Sequence, residues 1–91
     1  MDDYKLIADH YGLRNQCMQT QEECAELIQA INKFLRPDQK NLGAAKAHLI
    51  EELADVQVMI WQLEYLMKCD CAVMKEICTK VQRQIERMKK E

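Results

Sequence analysis

Four carboxylates at helical spacing are the residues of this chain best suited to chemistry. Glu23 and Glu26 lie three residues apart in QEECAEL, and Glu52 and Asp55 lie three residues apart in EELADV. Residues three apart are neighbours on one face of an α-helix. Two such helices packed side by side would bring the four carboxylates together. Oxygen ligands of this kind suit hard divalent cations, of which Mg²⁺ with a phosphate substrate is the commonest case.

The composition favours the helices that must position these acids. The chain of 91 residues has two Gly, one Pro and one Phe, which leaves little material for turns and strands. We predict Gly12 as the end of the first helix and Asp70 as the N-cap of the last. Arg36 to Gly43 is the one clear loop, because Pro37 disfavours helix in the residue before it. The four predicted helices span approximately residues 2–10, 13–35, 44–68 and 71–90.

Apolar stripes predict how the two acidic helices pack. The stripe of each helix follows a spacing of three and four residues, and each acid pair lies on its shoulder. Antiparallel packing would then set the pairs facing each other at the edge of the core. The predicted stripes are Leu13, Cys17, Thr20, Cys24, Leu27, Ile31 and Leu35 in the second helix, and Leu49, Leu53, Val56, Ile60, Leu63 and Met67 in the third.

The third helix is also apolar away from its stripe, which predicts self-association. Ile50, Val58, Met59, Trp61 and Tyr65 occupy its other faces. A helix that is apolar nearly all round is buried nearly all round, and a chain this small offers little cover. We therefore predict an all-α fold in one domain over residues 1–91, a four-helix bundle-like protomer that assembles into a homo-oligomer, at least a dimer.

Charge and cysteine content narrow the class of protein. Residues 1–74 have a net charge of −5 and residues 75–91 a net charge of +3, and the acidic body opposes general nucleic-acid binding. The sequence has no apolar run of membrane-spanning length, and its N-terminal segment is acidic and lacks an apolar signal core, so we expect neither a membrane partner nor secretion. Five cysteines make an odd number, which argues against a complete disulfide framework. We expect a reducing, cytoplasmic location.

The cysteines do not form a zinc motif. Cys69, Cys71 and Cys78 lack zinc-finger spacing, and no second Cys pair or nearby His completes four ligands. Cys17 and Cys24 lie on the predicted core stripe and are interpreted as small apolar fillers. A redox role for Cys69 and Cys71 remains an alternative.

QEECAEL, followed 25 residues after Glu26 by EELAD, resembles the EExxE…ExxD signature of the MazG-like, all-α nucleoside triphosphate pyrophosphohydrolases. The resemblance covers roughly residues 10–90. It implies Mg²⁺-dependent hydrolysis of (deoxy)nucleoside triphosphates to the monophosphate and pyrophosphate, with Mn²⁺ a possible substitute, by a dimer or tetramer with active sites near subunit interfaces. Carried over by position, the metal ligands are Glu23, Glu26, Glu52 and Asp55. Glu22 is a further candidate, as ligand or as water-orienting base, together with Glu23.

Basic, polar and aromatic residues are candidates for binding the rest of a nucleotide. Lys80, Arg83 and Arg87 share one face of the last helix, and Lys33 lies two turns past Glu26; all four suit phosphate contacts or ordinary solvated positions. Asn32 and Trp61, with Tyr65 and His48, could line a base pocket. For Trp61, packing in an oligomer interface is the favoured alternative.

Two other classes of function compete with hydrolysis. In the first, the chain is a non-catalytic helical interaction module, whose apolar third helix serves a protein partner and whose acids are solvated. In the second, it is a nucleic-acid-binding helical bundle, which the acidic body disfavours. A metal-dependent enzyme acting on nucleoside triphosphates fits the paired acids best, because metal ions must separate four carboxylates from an anionic triphosphate.

Overall fold

A computed structural model describes residues 2–91, and its regular structure within that range is entirely helical. This confirms the all-α prediction. Among those residues no helix combines the length and apolar character that a membrane crossing requires. The helices are α1 (Asp3–Tyr11), α2 (Leu13–Phe34), α3 (Leu42–Met67) and α4 (Asp70–Lys90).

The helix boundaries follow local capping. Gly12 ends α1 with φ at +84°, a backbone conformation that favours glycine, and its N–H donates to the carbonyl of Ala8. The side chain of Asn41 accepts a hydrogen bond of 2.9 Å from the N–H of Ala44. This N-cap starts α3 two residues earlier than predicted, at Leu42.

The predicted N-cap of α4 is wrong by one residue. Cys69 precedes the helix without a side-chain cap, and Asp70 is its first helical residue. Lys68 adopts a left-handed conformation with φ at +53°, and the N–H of Cys69 donates to the carbonyl of Glu64. Because this turn is so short, Asp70 has already entered the helical conformation. An acid in the first turn still interacts favourably with the helix dipole.

The α2–α3 pair runs antiparallel and forms the main packing interface of the chain. Near one end, Gln16 donates a buried hydrogen bond of 2.7 Å to the side chain of Gln62. Near the middle, Glu26 approaches Glu52. Few apolar side chains of residues 2–91 are buried: Ala8 of α1, Ala30 of α2, and Val56 and Met59 of α3. The buried polar residues are Gln16, Glu52 and Gln62.

The α3 stripe predicted to form the core is only partly buried in the single chain. Of its members, Leu53, Ile60 and Met67 expose 44, 42 and 57% of their surface, whereas Val56 is buried and Leu49 and Leu63 are partly buried. The other buried residues of α3 lie outside the stripe: Glu52, Met59 and Gln62. Cys17, predicted as a core filler, is exposed as well. The buried face lies to one side of the predicted stripe because small and polar residues at the interface let α2 and α3 meet there.

The last helix projects away from the other three. Among the helices, α4 contacts α3 alone, and Val73 is the only residue of α4 that is not exposed to solvent. The radius of gyration is 16.3 Å, against about 12 Å for a compact domain of this length. The chain is therefore a three-helix pack with a fourth helix extended from it.

Candidate metal centre

Three of the predicted ligands converge between α2 and α3. Glu23, Glu26 and Glu52 each place one carboxylate oxygen so that the three oxygens lie within 4.8 Å of one another. These three residues are the acid cluster. The i, i+3 spacing puts Glu23 and Glu26 on the same face of α2, and the antiparallel partner brings Glu52 against them.

Glu52 is the most deeply placed member of the acid cluster. Only 7% of its surface is exposed, and its Oε2 atom is buried with no hydrogen-bond partner among the described residues. Leaving a buried acceptor unpaired costs about 1–3 kcal/mol, and more when the group is charged. The sequence prediction had placed these acids at the edge of the core, whereas Glu52 lies inside the helix–helix interface.

Glu23 is half-buried and has one oxygen free in the same way. Its Oε1 accepts a hydrogen bond of 2.9 Å from Gln19, whereas its Oε2 is buried without a partner. Burial raises the pKa of Glu23; the Gln19 hydrogen bond opposes this, and the charges of Glu26 and Asp55 raise the pKa further. The site therefore holds concentrated negative charge that a cation would relieve.

The remaining acids lie around this cluster rather than within it. Asp55 is exposed, but its charge acts on Glu23, which places it beside the cluster as a fourth candidate ligand. Glu22 is exposed and lines a separate cleft with Tyr11 and Gln19. Glu51 is exposed, as its helical position one residue from Glu52 predicts.

His48 is the nearest basic group to the buried acid. Its Nε2 atom lies 4.0 Å from Oε1 of Glu52, one turn away on α3. The side chain is partly exposed and also lines a cleft beside the α2–α3 loop. The sequence had suggested His48 only as a surface residue or part of a base pocket, although its i, i+4 relation to Glu52 signals the contact.

Lys33 lines the cleft beside the α2–α3 loop, toward the same end of the helix pair as His48. Arg36 and Lys40 line it too, and neither was predicted as a site residue. The sequence feature that could have identified them is their position in the loop that joins the two acidic helices. Asn32 is exposed on α2 and is not among the residues that line this cleft.

Trp61 lies on another side of α3 from the acid cluster. It follows Glu52 by nine residues, which is about 180° around the helix axis. Its ring packs against Tyr4 of α1 with 5.8 Å between ring centroids. Both residues line an open cleft of about 520 Å³ between α1 and the end of α3, where Tyr65 donates a hydrogen bond to Asp9. Within one protomer, Trp61 is therefore remote from the candidate metal ligands.

Lys80, Arg83 and Arg87 share one face of α4, as predicted, and line a small cleft there with Gln84. Because α4 packs only on α3 near their junction, these basic groups stand apart from the acid cluster of the same chain.

Comparison with known proteins identifies no relative: no family model, no curated protein and no solved structure matches this chain. Three carboxylates with two unpaired, buried oxygens offer hard, anionic ligands on rigid helices. Such a set suits Mg²⁺ or Mn²⁺, which prefer carboxylate oxygens and retain water or phosphate in the remaining positions.

Proposed function

We propose that this protein is a Mg²⁺-dependent nucleoside triphosphate pyrophosphohydrolase, which converts (deoxy)nucleoside triphosphates to the monophosphate and pyrophosphate. The MazG-like motif of QEECAEL and EELAD suggests this reaction. One structural observation carries the metal requirement: Glu23 and Glu52, each with a buried unpaired oxygen, meet Glu26 within 4.8 Å. In an ordinary solvated face such oxygens would point to water.

The donor set fits a divalent metal on chemical grounds. Glu23, Glu26 and Glu52 would hold it, with Asp55 as the outer ligand. Three mutually repelling carboxylates are costly without a cation, and a bound Mg²⁺ removes that repulsion. When bound, the metal supplies charge neutralisation at the phosphate and lowers the pKa of a coordinated water. The helices themselves keep the carboxylates oriented, which reduces the reorganisation needed on binding.

Residues outside the acid cluster have subsidiary parts in this proposal. Glu22 is the candidate water-orienting base from the motif, although its exposed position on α2 would require substrate or a second protomer to bring the water close. Gln19 holds Oε1 of Glu23, which leaves Oε2 free for metal. We expect hydrolysis of surplus or non-standard deoxynucleotides as the physiological role.

We also propose that the protein self-associates as a dimer or tetramer. The protomer has an accessible surface of 7522 Å², against about 5,500 Å² for a monomer of its mass. The excess of about 2,000 Å² for one chain is larger than the roughly 800 Å² that each partner buries in an interface of standard size. Association would also bring the basic face of α4 close to other protomers.

A helical interaction module without catalysis is the second candidate. The observation that favours it is the exposed apolar row of α4, in which Ile77, Val81 and Ile85 expose 46, 51 and 39% of their surface. A helix in this condition is typical of one that docks on a partner. Under that alternative, Mg²⁺ with a triphosphate would not change the thermal unfolding midpoint.

The decisive experiment compares Glu52→Gln with Glu51→Gln, a matched control on the exposed face of the same helix. Purified proteins are incubated with a nucleotide panel and Mg²⁺, and products are identified by phosphorus NMR. We expect wild type and Glu51→Gln to release pyrophosphate, and Glu52→Gln to lose at least about 100-fold in rate, which is the usual scale for a lost metal interaction.

Manganese binding, followed by electron paramagnetic resonance, separates a metal defect from a folding defect. Glu52→Gln should bind Mn²⁺ weakly while keeping the helical circular dichroism of wild type. Full Mg²⁺-dependent activity in the Glu52→Gln protein would refute the assignment. Absence of pyrophosphate release from every nucleotide tested, with Mn²⁺ bound normally, would refute the reaction but not the metal site.

A further inference from the structure

The α2–α3 loop encloses a basic cleft next to the acid cluster. The cleft has a volume of about 420 Å³. Its lining includes three residues with permanent positive charge and one histidine, and no aspartate or glutamate. We call it the loop cleft. It is lined by Lys33, Arg36, Gln39, Lys40, Asn41, Ala44, Ala45 and His48.

This concentration of positive charge is unusual in its setting. Residues 1–74 contain seven Lys or Arg against twelve Asp or Glu, yet three of those seven line the loop cleft. Repulsion among Lys33, Arg36 and Lys40 opposes their gathering, so an anionic occupant would stabilise the arrangement. The cleft also lies at the N-terminal end of α3, where the helix dipole adds partial positive charge.

The loop is held in shape by its own hydrogen bonds. Gln39 donates from its side chain to the backbone carbonyl of Lys33, which ties the loop back onto the end of α2. Its side-chain oxygen accepts from the N–H of Asn41 at 3.4 Å. Asn41 in turn caps α3 through Ala44. The basic side chains therefore project from a fixed frame, which lowers the entropic cost of binding.

The loop cleft and the acid cluster form one continuous surface. His48 lines the cleft, and its Nε2 lies 4.0 Å from Oε1 of Glu52. Along α3 the two residues are separated by about 6 Å of rise, and Lys33 lies about 10 Å along α2 from Glu26. A phosphate chain with one end at the acid cluster would extend directly into the cleft.

We infer that the loop cleft binds the outer phosphates of a polyphosphate ligand. Arg36 can bind a phosphate with two parallel hydrogen bonds, and Lys33 and Lys40 contribute point charges. Their combined charge matches a di- or triphosphate better than a single carboxylate or monophosphate. The identification of these groups as the β- and γ-phosphates of a nucleoside triphosphate rests on the proposed function. Substrates with longer phosphate chains would then bind more tightly than monophosphates.

Titration calorimetry with inorganic tripolyphosphate in EDTA tests the cleft without the metal. Wild type should bind saturably at one site. The variant Lys33→Gln, Arg36→Gln, Lys40→Gln should bind about tenfold more weakly or worse, as expected for lost charge-assisted hydrogen bonds. A matched triple variant, Lys46→Gln, Lys75→Gln, Lys89→Gln, has the same net charge and should bind within about twofold of wild type.

Folding of the cleft variant is checked by circular dichroism, and the single change Lys40→Gln provides a milder second test with a smaller loss. Equal weakening in both triple variants would overturn the inference, because net charge alone would then explain binding. Unchanged binding in the cleft variant, or no binding by wild type, would also overturn the inference. The same holds if binding is lost instead in the variant Lys80→Gln, Arg83→Gln, Arg87→Gln. Preference for a single-stranded oligonucleotide over tripolyphosphate would overturn it as well.

Different results would refute the anion-binding role of the loop cleft and the proposed hydrolysis. Tripolyphosphate bound at the loop cleft, with no hydrolysis of any nucleotide in Mg²⁺, would support the anion site and refute the reaction. Normal pyrophosphate release by the cleft variant, with KM unchanged, would refute the cleft and leave the reaction standing.

Discussion

At the scale of single residues, the acid cluster destabilises the fold, and neighbouring side chains offset only part of this cost. Glu52 lies within a packed interface with one oxygen unpaired, and Glu23 has the same deficiency. Gln19 satisfies one oxygen of Glu23, and His48 lies near one oxygen of Glu52. Residues that destabilise a fold in this way commonly mark functional sites.

The raised pKa of Glu23 predicts how stability depends on pH. Burial favours the protonated form in the folded state, so the folded chain binds this proton more tightly than the unfolded chain. The stabilisation is complete below pH 4.5, the ordinary value, and is lost as the pH rises through the raised pKa. Glu23→Gln removes the titration, so its stability relative to wild type should increase with pH across that window.

Urea unfolding in EDTA at a series of pH values measures this difference. Glu51→Gln provides the control and should follow the wild-type profile. A constant offset between Glu23→Gln and wild type at all pH values would contradict the prediction. Adding Mg²⁺ should reverse the trend at neutral pH, because the cation stabilises the ionised carboxylates of the folded protein alone.

At the scale of elements, a pair of glutamines fixes how α2 and α3 align. Gln16 and Gln62 are both buried and bonded to each other at 2.7 Å. Sliding one helix by a turn would separate them and leave buried amides unpaired. The same alignment brings Glu26 against Glu52, so the register that satisfies the glutamines also assembles the acid cluster.

Gln62→Ala should therefore destabilise the fold by about 2 kcal/mol, because it leaves the Gln16 amide buried without its partner. Urea unfolding followed by circular dichroism measures the loss. Gln57→Ala, at an exposed position of the same helix, should change stability by less than about 0.5 kcal/mol. The double variant Gln16→Ala, Gln62→Ala should lose less stability than the sum of the losses measured for the two single variants. Strict additivity would show that the pair does not couple the helices.

At the scale of the whole molecule, the chain has a larger accessible surface than a compact monomer of its mass, 7522 Å² against about 5,500 Å². The α3 stripe of Leu53, Ile60 and Met67 lies uncovered, and α4 extends from the body with its own apolar row. Both surfaces lie outside the acid cluster, so their burial would leave the candidate site open to substrate. Self-association is the simplest way to cover them.

Sedimentation velocity tests this expectation directly. Wild type should sediment as a dimer or larger species at micromolar concentration. Ile60→Glu should shift the distribution toward monomer, because it places a charge in the apolar stripe. Ala47→Glu adds the same charge at an exposed position on another face of α3 and should leave association unchanged. A wild-type protein that is monomeric at all concentrations would contradict the prediction.

Composition and spacing were sufficient for the secondary structure and for part of the site. Helix-forming residues, Gly12 and Pro37 determined the four helices to within about two residues at each boundary, since these signals act locally. The i, i+3 spacing of Glu23 with Glu26 depends only on helical geometry, and it predicted their shared face. The cap of α4 was misjudged because a left-handed Lys68 shortened the preceding turn.

Only the tertiary structure decided which faces are buried. The buried face of α3 includes only part of the predicted apolar stripe, because Gln16, Gln62 and the small Ala30 lie where α2 and α3 meet along a more polar line. The same packing buries Glu52 within the interface, where the sequence had predicted the edge of the core, and leaves α4 in contact with α3 alone. It also gathered Arg36 and Lys40 of the loop beside Lys33 and His48. Contacts between side chains of different helices depend on the register between those helices. This register is a long-range property that the spacing of residues along one helix does not specify.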